Sequence, residues 1–388
     1  MTKTRIFTAV AVALSGASFA AGAAQVTLYG VVDEGLMYTH SRTDGKSANK
    51  LEMKSGYNSG NRFGFRGTEE LSGDLKVGFK LEAGFDADTG VLKKSQSRLF
   101  HREAALTLSG SWGSLAAGRM GGVGSGAGTY DLVYSVGEVT DAVWMNVEGM
   151  HMTGRYDNML TSQSPKFAGL QATLQYSFKG DSLNEKEGAE GTAKATRYYG
   201  GALTYSVGSF NSVLAYEYVN RGNNTATYKN DNQRNGQAVS LGANYDFGVM
   251  KLFGLVQYAD GADSLGRLYA SNLKKTYGVG EDDAFAFDGF KGWAAHLGAS
   301  IPVCGGLLMT GLYYADGKAE KVKVNDADKA GSDLRFYGVN AQYNYPLSKR
   351  TTIYTGLGYG SSKLDASDDS RKYKSEETTV YAGISHRF

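Results

Sequence analysis

The sequence predicts an all-β fold: sixteen antiparallel strands closed into a transmembrane barrel. Three observations carry this expectation. Apolar and polar side chains alternate over whole segments, tight turns alternate with long polar connections, and the three prolines, Pro165, Pro302 and Pro346, all fall in apparent turns. The alternation is cleanest in GLQATLQYSF, residues 169–178. There Leu170, Ala172, Leu174, Tyr176 and Phe178 share one parity, and Gln171, Thr173, Gln175 and Ser177 the other. Successive side chains of a strand point to opposite faces, so such a run has two faces in different surroundings. A soluble sandwich would set the apolar face on a protein core, whereas a membrane barrel sets it on lipid and the polar face on a water-filled lumen.

The chain opens on a different pattern. Lys3 and Arg5 precede the apolar run IFTAVAVALSGASFA and the small residues AAGAA, which is the layout of a cleaved secretory leader over 1–24. The expected mature chain, 25–388, is one barrel domain. Lys3 and Arg5 are the leader's only charges, so 41 basic residues become 39, matching the 39 acidic ones. A mature chain without net charge points to neither nucleic acid nor a polybasic membrane patch. The single cysteine, Cys304, excludes an internal disulfide and reads as a small filler beside a turn.

Along the chain, SLGANYDF and FYGVNAQYNY repeat the alternation, with Leu241, Ala243 and Tyr245, then Tyr337, Val339, Ala341, Tyr343 and Tyr345, on the apolar side. Short turns are expected at 68–74, 110–113, 164–169, 207–209, 247–249, 302–306 and 346–350. Long loops are expected near 40–50, 88–97, 120–151, 180–196, 221–236, 260–290, 316–333 and 362–375. Seven turns and eight loops join sixteen strands. Each strand with its connection then has roughly 23 residues, enough for the 9–11 that cross a bilayer at a tilt. No helical periodicity appears beyond the leader to cover the apolar faces, which leaves lipid to do so.

Several stretches together resemble the general porins of Gram-negative outer membranes, in the betaproteobacterial and neisserial branch. They are QVTLYGVVDEGL (25–36), NRFGFRGTEELSGDLKVGFKLEAGF (61–85), RLFHREAALTLSGSWGSLAAGRM (98–120), GRYDNMLTSQSPKFAGLQATLQY (154–176) and the terminal GISHRF. The resemblance implies a sixteen-stranded barrel, usually a homotrimer, with loop 3 folded inward as a constriction. It also implies passive diffusion of small hydrophilic solutes and ions, with no cofactor, no metal and no enzymatic activity. The implied surroundings are outer-membrane lipid and lipopolysaccharide, and terminal Phe388 is the address that the barrel-assembly machinery reads.

A channel of this kind works through charge across a narrow aqueous gap. With Phe63 and Phe65 outward, Arg62 and Arg66 face the lumen; with Val77, Phe79 and Leu81 outward, so do Lys76, Lys80 and Glu82. An arginine on the lipid face at mid-depth costs about 2–4 kcal/mol, which favours the lumen. Arg102, Arg119 and Arg155 stand where the family carries pore-wall arginines. Bare alternation would turn Arg102 outward with Ala104, Leu106 and Leu108, and the resemblance overrides it. The opposing acids are expected in loop 120–151, whose Val, Tyr, Trp and Met suggest folding against a wall. Glu138 and Asp141 are the first choices and Asp131 the next, although the family's PEFGG tip is absent.

Other features have plainer readings. GGVGSGAG lacks the GxGxxG spacing of a nucleotide loop, and DASDDS and GEDDAFAFD read as solvated outer loops. His151 with Thr153 invites a hydrolase reading that the missing serine and oxyanion donor oppose. The expected selectivity is a mild anion preference. The alternatives are a solute-specific channel, for which the tyrosines stand mostly on the apolar parity, and an adhesin or receptor acting through its outer loops.

Overall fold

Gln25–Thr43 (β1) shows how the barrel closes. On one side Val31–Thr43 pairs with Lys372–Arg387 (β16), from Val31↔Arg387 to Thr43↔Ser375. On its other side β1 pairs with a strand in two halves, Lys46–Ser55 and Arg62–Ser72, together β2. The computed structural model describes residues 25–93, 98–126, 128–137, 150–151, 154–184, 188–222, 234–265, 268–280, 283–325, 327–329, 331–366 and 372–388. The leader, Glu138 and Asp141 lie outside them.

Sixteen strands form the ring, each antiparallel to the next. After β2 come Leu75–Gly84 (β3), Glu103–Gly110 (β4), Gly113–Gly121 (β5), Arg155–Gln163 (β6), Leu170–Ser177 (β7), Arg197–Val207 (β8) and Phe210–Asn220 (β9). Gly236–Asp246 (β10), Lys251–Ala262 (β11), Phe290–Val303 (β12), Gly306–Ala319 (β13), Ser332–Pro346 (β14) and Thr351–Ala366 (β15) complete it before β16. β4–β7 have 8 or 9 residues, whereas β12–β16 have 14 to 16 and β1 has 19. The wall is therefore low on one side and high on the other.

The faces follow the alternation. On β7 Leu174 is 66% exposed while Thr173, Gln175 and Ser177 are buried. Leu203, Leu214, Leu241, Val256 and Leu297 likewise point outward. Aromatic rings bound this apolar band: Phe178, Tyr176, Tyr199 and Tyr218 run in contact at one end, and the Tyr205–Phe210 and Tyr245–Phe247 pairs stand at the other. Phe210 and Tyr218 are eight residues apart, about 27 Å of strand, which suits interfacial girdles around a bilayer core.

One expectation about the connections needs correction. Residues 40–50 form no long loop. Asp44 and Gly45, with φ of 49° and 81°, make a two-residue hairpin turn, and the strands continue through the polar residues on either side. Two adjacent residues at positive φ give the twist that suits a tight hairpin, and Asp-Gly supplies them readily. The tyrosines stand mostly outward, as expected, among them Tyr38, Tyr199, Tyr216, Tyr245, Tyr258, Tyr337 and Tyr345, but a minority does not. Tyr29, Tyr198, Tyr313, Tyr354 and Tyr381 stand on the inward parity, often lying flat over glycines: a Cβ on Gly356 would meet the Tyr381 hydroxyl at 2.3 Å, and one on Gly311 the Tyr313 hydroxyl at 2.7 Å. At the long-loop end, Leu273 of Ala270–Tyr277 (α2; α1 is Val133–Gly137) joins Phe285, Phe287 and Val322 against inward Leu334, Phe336, Leu364 and Tyr373. An apolar cap thus fills part of the mouth on the high-wall side.

Candidate pore constriction

The inner faces of β2, β3 and β4 build a charged wall from alternating residues. Glu82 and Glu103 are directly paired across the β3–β4 ladder, and both are buried. Arg102 Nε lies 2.6 Å from Glu82 Oε1, Arg62 Nε 4.0 Å from Glu82 Oε2, and the Tyr29 hydroxyl donates to Glu82 at 2.9 Å. Lys80 Nζ donates to Glu103 Oε2 at 2.7 Å, and Arg66 lies over the Tyr29 ring at 5.1 Å. Arg102 precedes the first residue of β4, so strand alternation does not govern it, and its guanidinium turns to the lumen-side Glu82. Beside this wall a cavity of about 920 Å³, lined by Arg66, Lys80, Glu103, Thr107 and Tyr130, runs toward the short-turn end.

Arg119 goes elsewhere. It pairs with Ala104 in the ladder, on the parity of Leu106 and Leu115, and donates to the His101 carbonyl at 2.8 Å and to Asp157 at 2.6 Å. Arg98 donates to Asp157 at 2.6 Å and to Asp181 at 2.5 Å, so two arginines meet two carboxylates. Arg155 begins β6. Its carbonyl receives Arg119 Nη1, and its own buried Nε has no partner among the described residues. His101 is 8% exposed. Burial, and then the guanidinium charges of Arg155, Arg102 and Arg119, lower its pKa from 6.5 to about 4.

Residues 122–126 and 128–137 link this wall to the inner faces of β8–β11. At one end Thr129 bonds Glu103 through its amide and hydroxyl, at 3.2 and 2.5 Å. Glu217 accepts the Tyr198 hydroxyl at 2.7 Å and the Gly124 amide at 3.2 Å, while the Val123 amide donates to Tyr198 at 3.1 Å. A side chain at Gly124 would meet the Glu217 carboxylate at 2.4 Å and displace it. Val133 and Tyr134 of α1 pack on Val213, Ala215 and Leu255, and Asn244 donates to the Val136 carbonyl at 2.7 Å. Asp131, half-buried, stands just before α1.

Of the predicted residues, the structure brings together Arg62, Arg66, Lys80 and Arg102. Their carboxylate partners come from the wall itself. Glu82 was legible as a lumen-facing acid two residues from Lys80. Asp157 carried no signal, because a distortion at Asn158, φ 49°, shifts the register beside it. At the seam, Phe388 exchanges both backbone hydrogen bonds with Gly30 at 3.1 Å, its ring over the glycine.

A closed barrel whose inner wall gathers charged side chains beside a cavity has the layout of a membrane channel. A family model for Gram-negative porins matches residues 8–365, and the chain belongs to that family. It is 32% identical to an outer membrane porin protein of Bordetella pertussis, over 95% of this chain and 96% of that one. It is 30% identical to outer membrane porin protein 32 of Delftia acidovorans, over 98% and 99%. Among solved structures, an anion-selective porin from Comamonas acidovorans superposes with a TM-score of 0.65 at 27% identity, covering 94% of this chain and all of that one. The protein is an outer-membrane porin, a channel whose place is the outer membrane.

Proposed function

We propose that this porin passes small hydrophilic solutes and ions passively, with a mild preference for anions set by Arg62, Arg66, Lys80, Arg102 and Arg155. The observation that carries the reading is a local surplus: Arg62, Lys80 and Arg102 pair with only two wall carboxylates, Glu82 and Glu103, Arg62 and Arg102 share one of them, and Arg66 lies on the same wall over Tyr29. Focusing in a narrow gap between low-dielectric walls gives such a surplus a large effect on ion entry. Arg119, neutralised by Asp157, contributes less. The likeness to an anion-selective porin supports the same sign. Asp131, Glu138 and Asp141 supply the opposing negative side from loop 3, and no bond chemistry takes place.

The leader 1–24 is removed on export, terminal Phe388 addresses the chain to the barrel-assembly machinery, and the working unit is a homotrimer in lipid and lipopolysaccharide. A reversal potential measured across a salt gradient tests the sign: it should report anions, and Arg62→Ala and Arg155→Ala should each move it toward cations. A cation-selective parent channel overturns the proposal. A solute-specific channel is the second reading, favoured by the lumenal tyrosines Tyr313, Tyr354 and Tyr381. It predicts current blockade by one sugar or organic anion at low concentration.

A further inference from the structure

Strand β2 is interrupted, and its arithmetic is informative. Ser55 pairs with Glu34 and Arg62 with Val31, so β1 spends two residues, Val32 and Asp33, where β2 spends six, Gly56–Asn61. The surplus is four residues. An even surplus leaves the alternation of faces intact on both sides, so Arg62 stays on the inward parity of Val31.

These six residues lie inside the barrel. The Asp33 carbonyl accepts the Gly56 amide at 2.8 Å and the Asp33 amide donates to Asn61 Oδ1, so both ladder groups of Asp33 are satisfied without a paired strand. Asp33 Oδ1 accepts the Asn58 amide at 3.1 Å and the Tyr354 hydroxyl at 2.9 Å. The Tyr57 ring meets Tyr381 edge-on at 4.4 Å, and Gln342 Nε2 donates to Asn58 Oδ1 at 2.9 Å. Tyr381, Tyr354 and Gln342 are inward residues of β16, β15 and β14. The segment therefore reaches past β1 to the fourth strand from its own, about 19 Å of wall at the usual strand spacing. Its far end meets the charged wall, where the Gly60 carbonyl accepts Arg62 Nη1 at 3.0 Å.

We propose that residues 56–61 form a second, fixed narrowing of the channel, an internal strap independent of loop 3, with Asn58 on the path of permeating solutes and Gly60 positioning the Arg62 guanidinium. The proposal rests on the channel activity of the family and needs no particular ion preference. Hydrogen bonds to β1 and β14 and the ring contact with β16 hold the strap in place, so it limits the bore at all times.

Deleting Tyr57–Gly60 joins Gly56 to Asn61 opposite Asp33 and Val32 and restores an unbroken ladder. In planar bilayers this variant should show a higher single-channel conductance than the parent; an unchanged or lower value overturns the proposal. Should the deletion fail to assemble, Asn58→Cys in a Cys304→Ser background decides. A small methanethiosulfonate reagent added to open channels should lower the current in steps, one per modified subunit. A cysteine that does not react, or that reacts without changing the current, refutes the placement. The parent protein, measured in the same membrane, tests the channel activity separately, since its silence would be a failure of that reading and not of the strap.

Discussion

His101 shows what burial among arginines does to a single side chain. Its folded pKa of about 4 lies below the 6.5 of an exposed histidine, so between those values the unfolded chain binds a proton that the folded chain does not. The stabilisation is fully present above pH 6.5 and is lost as the pH falls toward 4. Thermal unfolding in detergent should show the parent losing more stability than His101→Gln between pH 7 and pH 4.5; equal losses would contradict the assignment. Glu82 acts oppositely on ions. It is shared by Arg102 and Arg62, so Glu82→Gln should free positive charge and move the reversal potential further toward anions. At this scale the sequence was partly legible. Arg66, Lys80 and Glu82 followed from parity alone, because each sits inside a regular strand, and Arg62 did because the interruption before it adds an even number of residues. Arg102 and Asp157 did not, since one lies just outside a strand and the other beside a distorted register, where spacing no longer fixes direction.

Among elements, the crossing chain from 122 to 126 is tied to the wall at Glu217. Glu217 accepts from both Tyr198 and Gly124, so Glu217→Ala removes the acceptor that fixes the segment's first turn. The expected result is a folded barrel whose open-channel current is noisier than the parent's, read at constant voltage; a quiet trace would show that α1 packing on Val213 and Leu255 suffices. Strands were the most legible elements because a half-lipid, half-water sheet writes its period into the residues. The hairpin at Asp44–Gly45 was misread for the opposite reason: Lys46–Lys50 and Thr39–Thr43 rise on the high wall, where both faces are polar and alternation disappears. The strap was invisible too, since no turn was expected between 50 and 68 and only pairing shows that both halves flank the same β1.

For the whole molecule, the layout predicts sidedness. Cys304, exposed at the β12–β13 turn with φ 48°, belongs to the short-turn end. In barrels of this kind that end faces the periplasm. A polyethylene-glycol maleimide too large for the pore should therefore label Cys304 in detergent but not on intact cells, and labelling of intact cells would reverse the orientation. The alternation of tight and long connections made this orientation readable from sequence. The unequal wall heights were not, because strand length above the membrane depends on pairing between polar residues rather than on any lipid-facing pattern.

The meeting of Gly30 with Phe388 also constrains how the molecule is made. The first strand to emerge in synthesis must wait, with one side unsatisfied, for the very last, and contacts such as Asp33 with Tyr354 span 321 positions of chain. Assembly is accordingly slow, and a chain that stops short of β16 keeps two bare margins that invite pairing with other chains. Premature termination near the C-terminus should thus give aggregate rather than a smaller pore.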